Sequence, residues 1–290
     1  MTIIDRIKRF FENRKIKRLE SKKDAEYRRE CLSDGRKNEY DAYLYRKNRA
    51  YSDIKRMQGY IDQGLDPKRW NYELKDLKRS LDFIRPNTSS DIEERKYWRE
   101  SFPNKIKEII GDDSDLRFHG TPIYNAKAII ESGGIFSSID INDGYRASTD
   151  LSGEISASKV STINRIFDGW FADMGGYINC LPCGCIFALK NRTHKDRELE
   201  EYDAMESVDF RQHPEQLYGI ITTQENLSIV RNWLFNTGLN PALVTNFSGF
   251  LDRVRQEKNV INQQIVTEVL APNGNDRFTR EKASDTFLDL

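Results

Sequence analysis

The sequence LRFHGTP at 116–122 leads directly into IYNAKAIIESGG at 123–134, and these two segments are the most informative about the fold of the second half of the chain. Alternating apolar residues in the first segment predict a strand that ends at the His-Gly-Thr tripeptide of residues 119–121. Apolar residues at helical spacing in the second segment predict a helix that ends at Gly133. A strand that turns at once into a helix indicates a mixed domain.

The rest of the second half continues this alternation of short apolar runs and helical segments. Strands are predicted over 145–148, 185–189, 204–210 and 217–223, and helices over 160–171, 227–235 and 242–256. The mixture predicts the α+β class, with an α+β domain over 111–271 and a polar tail over 272–290.

The first half, residues 1–110, has helical periodicity almost throughout and contains no catalytic motif. It carries 29 Lys and Arg against 20 Asp and Glu, whereas residues 111–290 carry 17 against 26, so the overall net charge of zero hides a basic and an acidic half. We therefore predict a separate, basic, all-helical domain. It either faces an anionic partner or faces the acidic half of its own chain.

Composition and motifs exclude several function classes. We expect no transmembrane segment, because no run of 18 apolar residues exists, and no secretory signal peptide. Four cysteines fit a reducing, cytoplasmic compartment. The chain lacks the P-loop, the GxGxxG fingerprint, HExxH and GxSxG, which disfavours the enzymes that use them. Cys180, Cys183 and Cys185 have no regularly spaced fourth ligand, so no metal site is predicted.

Three segments of the second half together resemble the ADP-ribosyltransferase superfamily. The first is His-Gly-Thr with its following helix, which matches the opening strand of the branch that includes poly-ADP-ribose polymerases. The second is Gly-Tyr-Arg-Ala-Ser at 144–148, followed by Ile-Ser-Ala-Ser at 155–158. The third is a glutamate before a late strand, either Glu215 or Glu206. The resemblance covers residues 115–235 and implies a split β-sheet with flanking helices.

The resemblance also implies roles for individual residues. NAD, as the substrate, would be held by His119, Gly120, Thr121, Tyr145 and Ser148. His119 would bind a ribose hydroxyl, the Gly120 backbone would pair with the carboxamide, and Tyr145 would stack on the nicotinamide ring. Glu215 would stabilise the oxocarbenium-like transition state, with Glu206 as the alternative. Catalysis would therefore rest on Glu215, His119 and Tyr145.

The implied reaction is mono-ADP-ribosylation of a macromolecular acceptor, protein or nucleic acid, by a toxin or effector that could be delivered into a target cell. A neutralising protein partner is a further expectation. Two alternatives stay open. NAD-dependent RNA 2′-phosphotransferases also carry His-Gly-Thr, although their Gly-His-Ser segment is absent from this chain. The chain could also be a non-enzymatic helical interaction protein with a degenerate transferase fold.

Overall fold

The computed structural model shows four helices, then a mixed region of strands and helices, which confirms the predicted α+β class. It describes residues 3–112, 114–136, 155–163, 166, 184–190, 193–198, 203–205 and 207–270. The helices are α1 (Ile3–Ser33), α2 (Lys37–Asp62), α3 (Pro67–Leu81), α4 (Ser89–Ile110), α5 (Ile123–Ser132), α6 (Leu227–Asn236) and α7 (Phe247–Leu270). The strands are β1 (Leu116–Thr121), β2 (Gly134–Ile135), β3 (Ile155–Ala157), β4 (Cys185–Lys190), β5 (Thr193–Glu198), β6 (Asp203–Met205), β7 (Val208–Asp209), β8 (Leu217–Ile221) and β9 (Val244–Thr245).

Helices α1 to α3 form a polar arm. Helix α1 runs along α2, where Tyr51 on α2 donates to the Glu20 carboxylate at 2.7 Å and Lys47 bonds Asp24 at 2.7 Å. Helix α2 ends before a turn, and α3 begins after Asp66, whose side chain accepts the Arg69 N–H at 3.3 Å. Such a side-chain bond satisfies a free backbone donor of the first helical turn. In the sequence, Gly64 and the pair Asp66-Pro67 predict a helix break at this point, and the structure confirms it.

Within the described part of the chain, the main sheet has four strands in the order β1-β4-β8-β9. Strand β4 is antiparallel to both neighbours, and β8 is parallel to β9. Residues 185–189 are buried throughout, because helices cover both faces of this sheet. Two small sheets accompany it, β2-β7 and β3-β6-β5.

Different elements cover the two faces of the main sheet. On one face, Phe118, Ile186 and Ile221 pack against α4 and α7. On the other, Phe187 and Ile220 pack against α5, α6 and the β2-β7 pair. Helix α5 ends at Gly133, whose φ of +79° is the left-handed conformation that glycine adopts without strain.

Two elements differ from the sequence-based predictions. The strand predicted over 204–210 is two strands, because β6 pairs with β3 and β7 pairs with β2 in a different sheet. The helix predicted over 242–256 begins only at Phe247, because Val244 and Thr245 extend the main sheet beside β8. The polar tail over 272–290 lies outside the described residues.

The domain boundary predicted at residue 110 lies at the end of α4. The side chains of Phe102, Ile106 and Ile109 on α4 belong to the same buried cluster as Phe118 of the sheet. Helix α4 is therefore part of the core of the α+β region, and only α1 to α3 form an arm with a separate apolar cluster. Even that cluster includes Tyr124 of α5.

Candidate functional site

The His-Gly-Thr tripeptide forms the last three residues of β1, which is at one edge of the main sheet as far as the described residues show. His119 pairs with Phe187, Gly120 with Ile186 and Thr121 with Cys185. Directly opposed residues of an antiparallel pair project to the same face, so His119 lies on the face covered by α5 and α6. Its side chain is half-buried, whereas Thr121 is buried.

The backbone of Gly120 faces the outer edge of β1. Phe118, two residues earlier, exchanges two backbone hydrogen bonds with Ser158 on that edge, with N–O distances of 2.9 and 2.8 Å. Hydrogen-bond direction alternates along an antiparallel strand, so the N–H and C=O of Gly120 point to the same side as those of Phe118. A strand edge of this kind can bind an amide through main-chain hydrogen bonds.

A side chain at Gly120 would not fit. A Cβ atom there would lie 2.4 Å from Cγ2 of Ile166, which packs over the strand. Gly184 is under the same constraint, since its Cβ would lie 1.8 Å from the Thr121 carbonyl oxygen. Both glycines therefore allow close packing around the end of β1, which is a structural reason for them besides the approach of a ligand.

Glu215 lies at the opposite end of the sheet from Thr121. It belongs to the 3₁₀ turn Pro214–Gln216 that leads into β8, and Leu217 pairs with Leu189 near the far end of β4. The side chain of Glu215 is 60% exposed, and its Oε1 lies 3.4 Å from Nδ1 of His213. The strand register thus separates Glu215 from the tripeptide.

The chain around Glu206 lies closer to the tripeptide. Glu206 itself is outside the described residues, but Met205 directly before it pairs with Ile155 of β3. Strand β3 leads into Ser158, which bridges Phe118 in an antiparallel sense. Met205 is therefore at the level of the carboxyl end of β1, where His-Gly-Thr lies.

Tyr145 and Ser148 also lie outside the described residues. The predicted stacking of Tyr145 on nicotinamide and the predicted contact of Ser148 with NAD stay predictions. Residues 164–165 and 167–171 of the helix predicted over 160–171 also lie outside the described residues. Its described start is the 3₁₀ turn Val160–Thr162.

Two buried threonines lie at the end of the sheet where the His-Gly-Thr tripeptide lies, and the sequence analysis does not predict them as site residues. Thr222 and Thr223 follow β8 directly and are fully buried, and the Thr222 hydroxyl donates to the Gly184 carbonyl at 3.2 Å. The amide of Asn226 donates to the Thr223 hydroxyl at 3.0 Å. Both threonines follow an apolar run in the sequence, which could have indicated a position at a strand end. The strand predicted over 217–223 includes them as strand residues instead.

Among the described residues, no group of three or more His, Cys, Asp or Glu side chains could hold a metal ion. Cys180 and Cys183 are outside that part of the chain, so the expected absence of zinc stays a prediction. Cys185 is fully buried within β4, and burial raises the pKa of its thiol to about 12. It is therefore a protonated core residue at neutral pH.

No family model matches the chain, no curated protein matches it, and no solved structure matches it. Of the helices in the described residues, none is long and apolar enough to cross a membrane.

Proposed function

We propose that this chain is a mono-ADP-ribosyltransferase of the toxin or effector class, which cleaves the nicotinamide glycosidic bond of NAD and passes ADP-ribose to a macromolecular acceptor. One observation carries the proposal. His-Gly-Thr ends β1, and the backbone N–H and C=O of its buried glycine point away from β4 to the side where Ser158 bonds Phe118; an amide would pair with them there. The nicotinamide carboxamide has the donor and the acceptor that such a pairing needs.

The tripeptide would hold NAD through the backbone of its glycine and the side chains of its histidine and threonine. The N–H and C=O of Gly120 would pair with the carboxamide, and the imidazole of His119 would bind a ribose hydroxyl. The hydroxyl of Thr121, at the last position of the strand, would also contact NAD. Strand β1 pairs with β4 along its length, and this pairing would hold the three residues in place before the substrate binds.

The reaction needs a carboxylate near the ribose that loses nicotinamide. Cleavage of a glycosidic bond passes through an oxocarbenium-like transition state, which a nearby negative charge stabilises. Glu206 is the better candidate for this role, because Met205 lies level with the tripeptide and Glu215 lies at the other end of the sheet. The sequence favours Glu215 for this role with Glu206 as the alternative, and this proposal exchanges the two.

The test compares two histidine variants. Titration calorimetry with NAD and a nicotinamide-release assay are run on the parent chain, on His119→Ala and on His213→Ala. We expect the His119 variant to lose NAD binding or turnover by at least tenfold while its circular dichroism spectrum is unchanged. The His213 variant is the control, because that side chain is 46% exposed beside Glu215. Equal turnover in all three proteins would place the site elsewhere, and a parent chain that neither binds nor cleaves NAD would refute the proposal.

A further inference from the structure

Helix α1 presents different residues to α2 and to the opposite side. Its α2-facing side carries the acids Glu20 and Asp24, which bond Tyr51 and Lys47. Tyr27 continues this side and packs edge-on against Tyr43, with ring centroids 5.4 Å apart. These contacts define the inner side of the helix from position 20 to position 27.

The opposite side of α1 carries a basic stripe, which we define as Arg18, Lys22 and Arg29. Each of these residues lies two positions from an α2-facing one, which is about 200° around a helix. All three side chains are exposed. Between Lys22 and Arg29 the stripe passes the small residue Ala25, and the exposed Glu26 lies beside it, one turn after Lys22.

The stripe is long enough for a polyanion. Eleven residues of helix rise about 16 Å, which corresponds to roughly five phosphates along one strand of a duplex. The same segment of α1 exposes two further cations, Lys23 and Arg28. Its exposed acids are Glu26 and Glu30. Helix α1 as a whole carries eleven Lys and Arg against six Asp and Glu.

We propose that the basic stripe binds the phosphate backbone of a nucleic acid. Charge complementarity carries this inference, because the exposed positions from Arg18 to Glu30 carry five Lys and Arg against two acids. The other two acids of this segment, Glu20 and Asp24, face α2. A membrane-binding helix needs a large apolar side beside its cations, whereas Leu19 is the one large apolar side chain exposed between Arg18 and Arg29. The inference does not rest on the proposed transferase activity.

The test is binding of fluorescein-labelled single-stranded RNA and duplex DNA, both of 20 nucleotides per strand, followed by anisotropy at 50, 100 and 200 mM KCl. We expect affinity to fall steeply with salt, as it does when phosphate contacts release counterions. The variant Arg18→Gln, Lys22→Gln, Arg29→Gln should bind at least tenfold more weakly at 50 mM KCl, with a salt slope lower by about 2 to 3. The two probes show whether RNA or DNA is preferred.

The matched control removes three exposed cations outside the arm, in the variant Lys107→Gln, Lys127→Gln, Arg255→Gln. We expect it to bind within twofold of the parent chain. Equal losses in both triple variants, or no binding by the parent chain, would overturn the proposal. So would binding to phosphatidylserine vesicles without binding to either nucleic acid. If the stripe variant does not fold, the single variant Lys22→Glu must show the weaker binding instead.

Discussion

The ring of Trp98 on α4 stacks on the ring of Phe247 on α7, with centroids 5.2 Å apart and 18° between the ring planes. Phe102, one turn further along α4, meets the same Phe247 edge-on at 5.1 Å. A helix from the basic half of the sequence and a helix from the acidic half thus share one aromatic cluster. Offset-stacked and edge-to-face pairs of this kind add stability beyond the apolar area that they bury.

The variant Phe102→Ala should destabilise the α+β region strongly. Phe102 is fully buried, and truncation of a buried phenylalanine costs about 3–5 kcal/mol through lost burial and the cavity that remains. The measurement is the free energy of unfolding from urea titration, followed by tryptophan fluorescence and circular dichroism. Phe235→Ala is the control, because Phe235 is 71% exposed. Similar small losses in both variants would mean that α4 is not part of this core.

The variants Glu206→Gln and Glu215→Gln should differ in ADP-ribose transfer. Glutamine keeps the size of glutamate and removes the charge that stabilises the oxocarbenium-like transition state. Loss of one such electrostatic group lowers turnover by about two to three orders of magnitude. We expect that loss in Glu206→Gln, with NAD affinity nearly unchanged, and parent-like transfer in Glu215→Gln. The opposite result would return the role to Glu215, and full activity in both would remove the carboxylate mechanism.

The helical arm should lose stability in alkaline solution through Tyr43. Burial raises the pKa of its phenol, and the Asp24 carboxylate that accepts its O–H raises it further. Because the folded chain holds this proton more tightly than the unfolded chain, the stabilisation is complete below pH 10 and decreases as the pH rises above it. The urea midpoint of the helical signal should fall less between pH 8 and pH 11 in Tyr43→Phe than in the parent chain.

Tyr45→Phe is the control for this pH dependence, because Tyr45 is 64% exposed. Its midpoint should fall with pH as much as that of the parent chain. The same pH dependence in all three proteins would show that Tyr43 does not carry the effect.

Local patterns in the sequence were sufficient for most of the elements. The apolar run at 185–189 predicted the buried strand β4, and the helical spacing that ends at Gly133 predicted α5. The turn around Asp66 predicted the break between α2 and α3. These features depend on neighbours within a few residues, so periodicity and turn chemistry determine them.

The same local patterns predicted one strand over 204–210, where the chain forms β6 and β7 in two sheets. They also assigned Val244 to a helix, although it pairs with Ile220 of β8. The partner of a strand lies far away in the sequence, and no local periodicity specifies it. Strand pairing was therefore beyond what the sequence pattern could predict.

The residue types can be identified from the order of amino acids alone: a His-Gly-Thr tripeptide at a strand end, two candidate glutamates and a basic first half. Their arrangement in space depends on the packing of the folded chain. The register of β1, β4 and β8 carries Glu215 away from His119, and the β3–β6 pairing brings Met205 level with the end of β1. The α1–α2 contacts turn Glu20 inward. Each of these placements depends on contacts between residues distant in sequence, and such contacts form only when the whole chain packs.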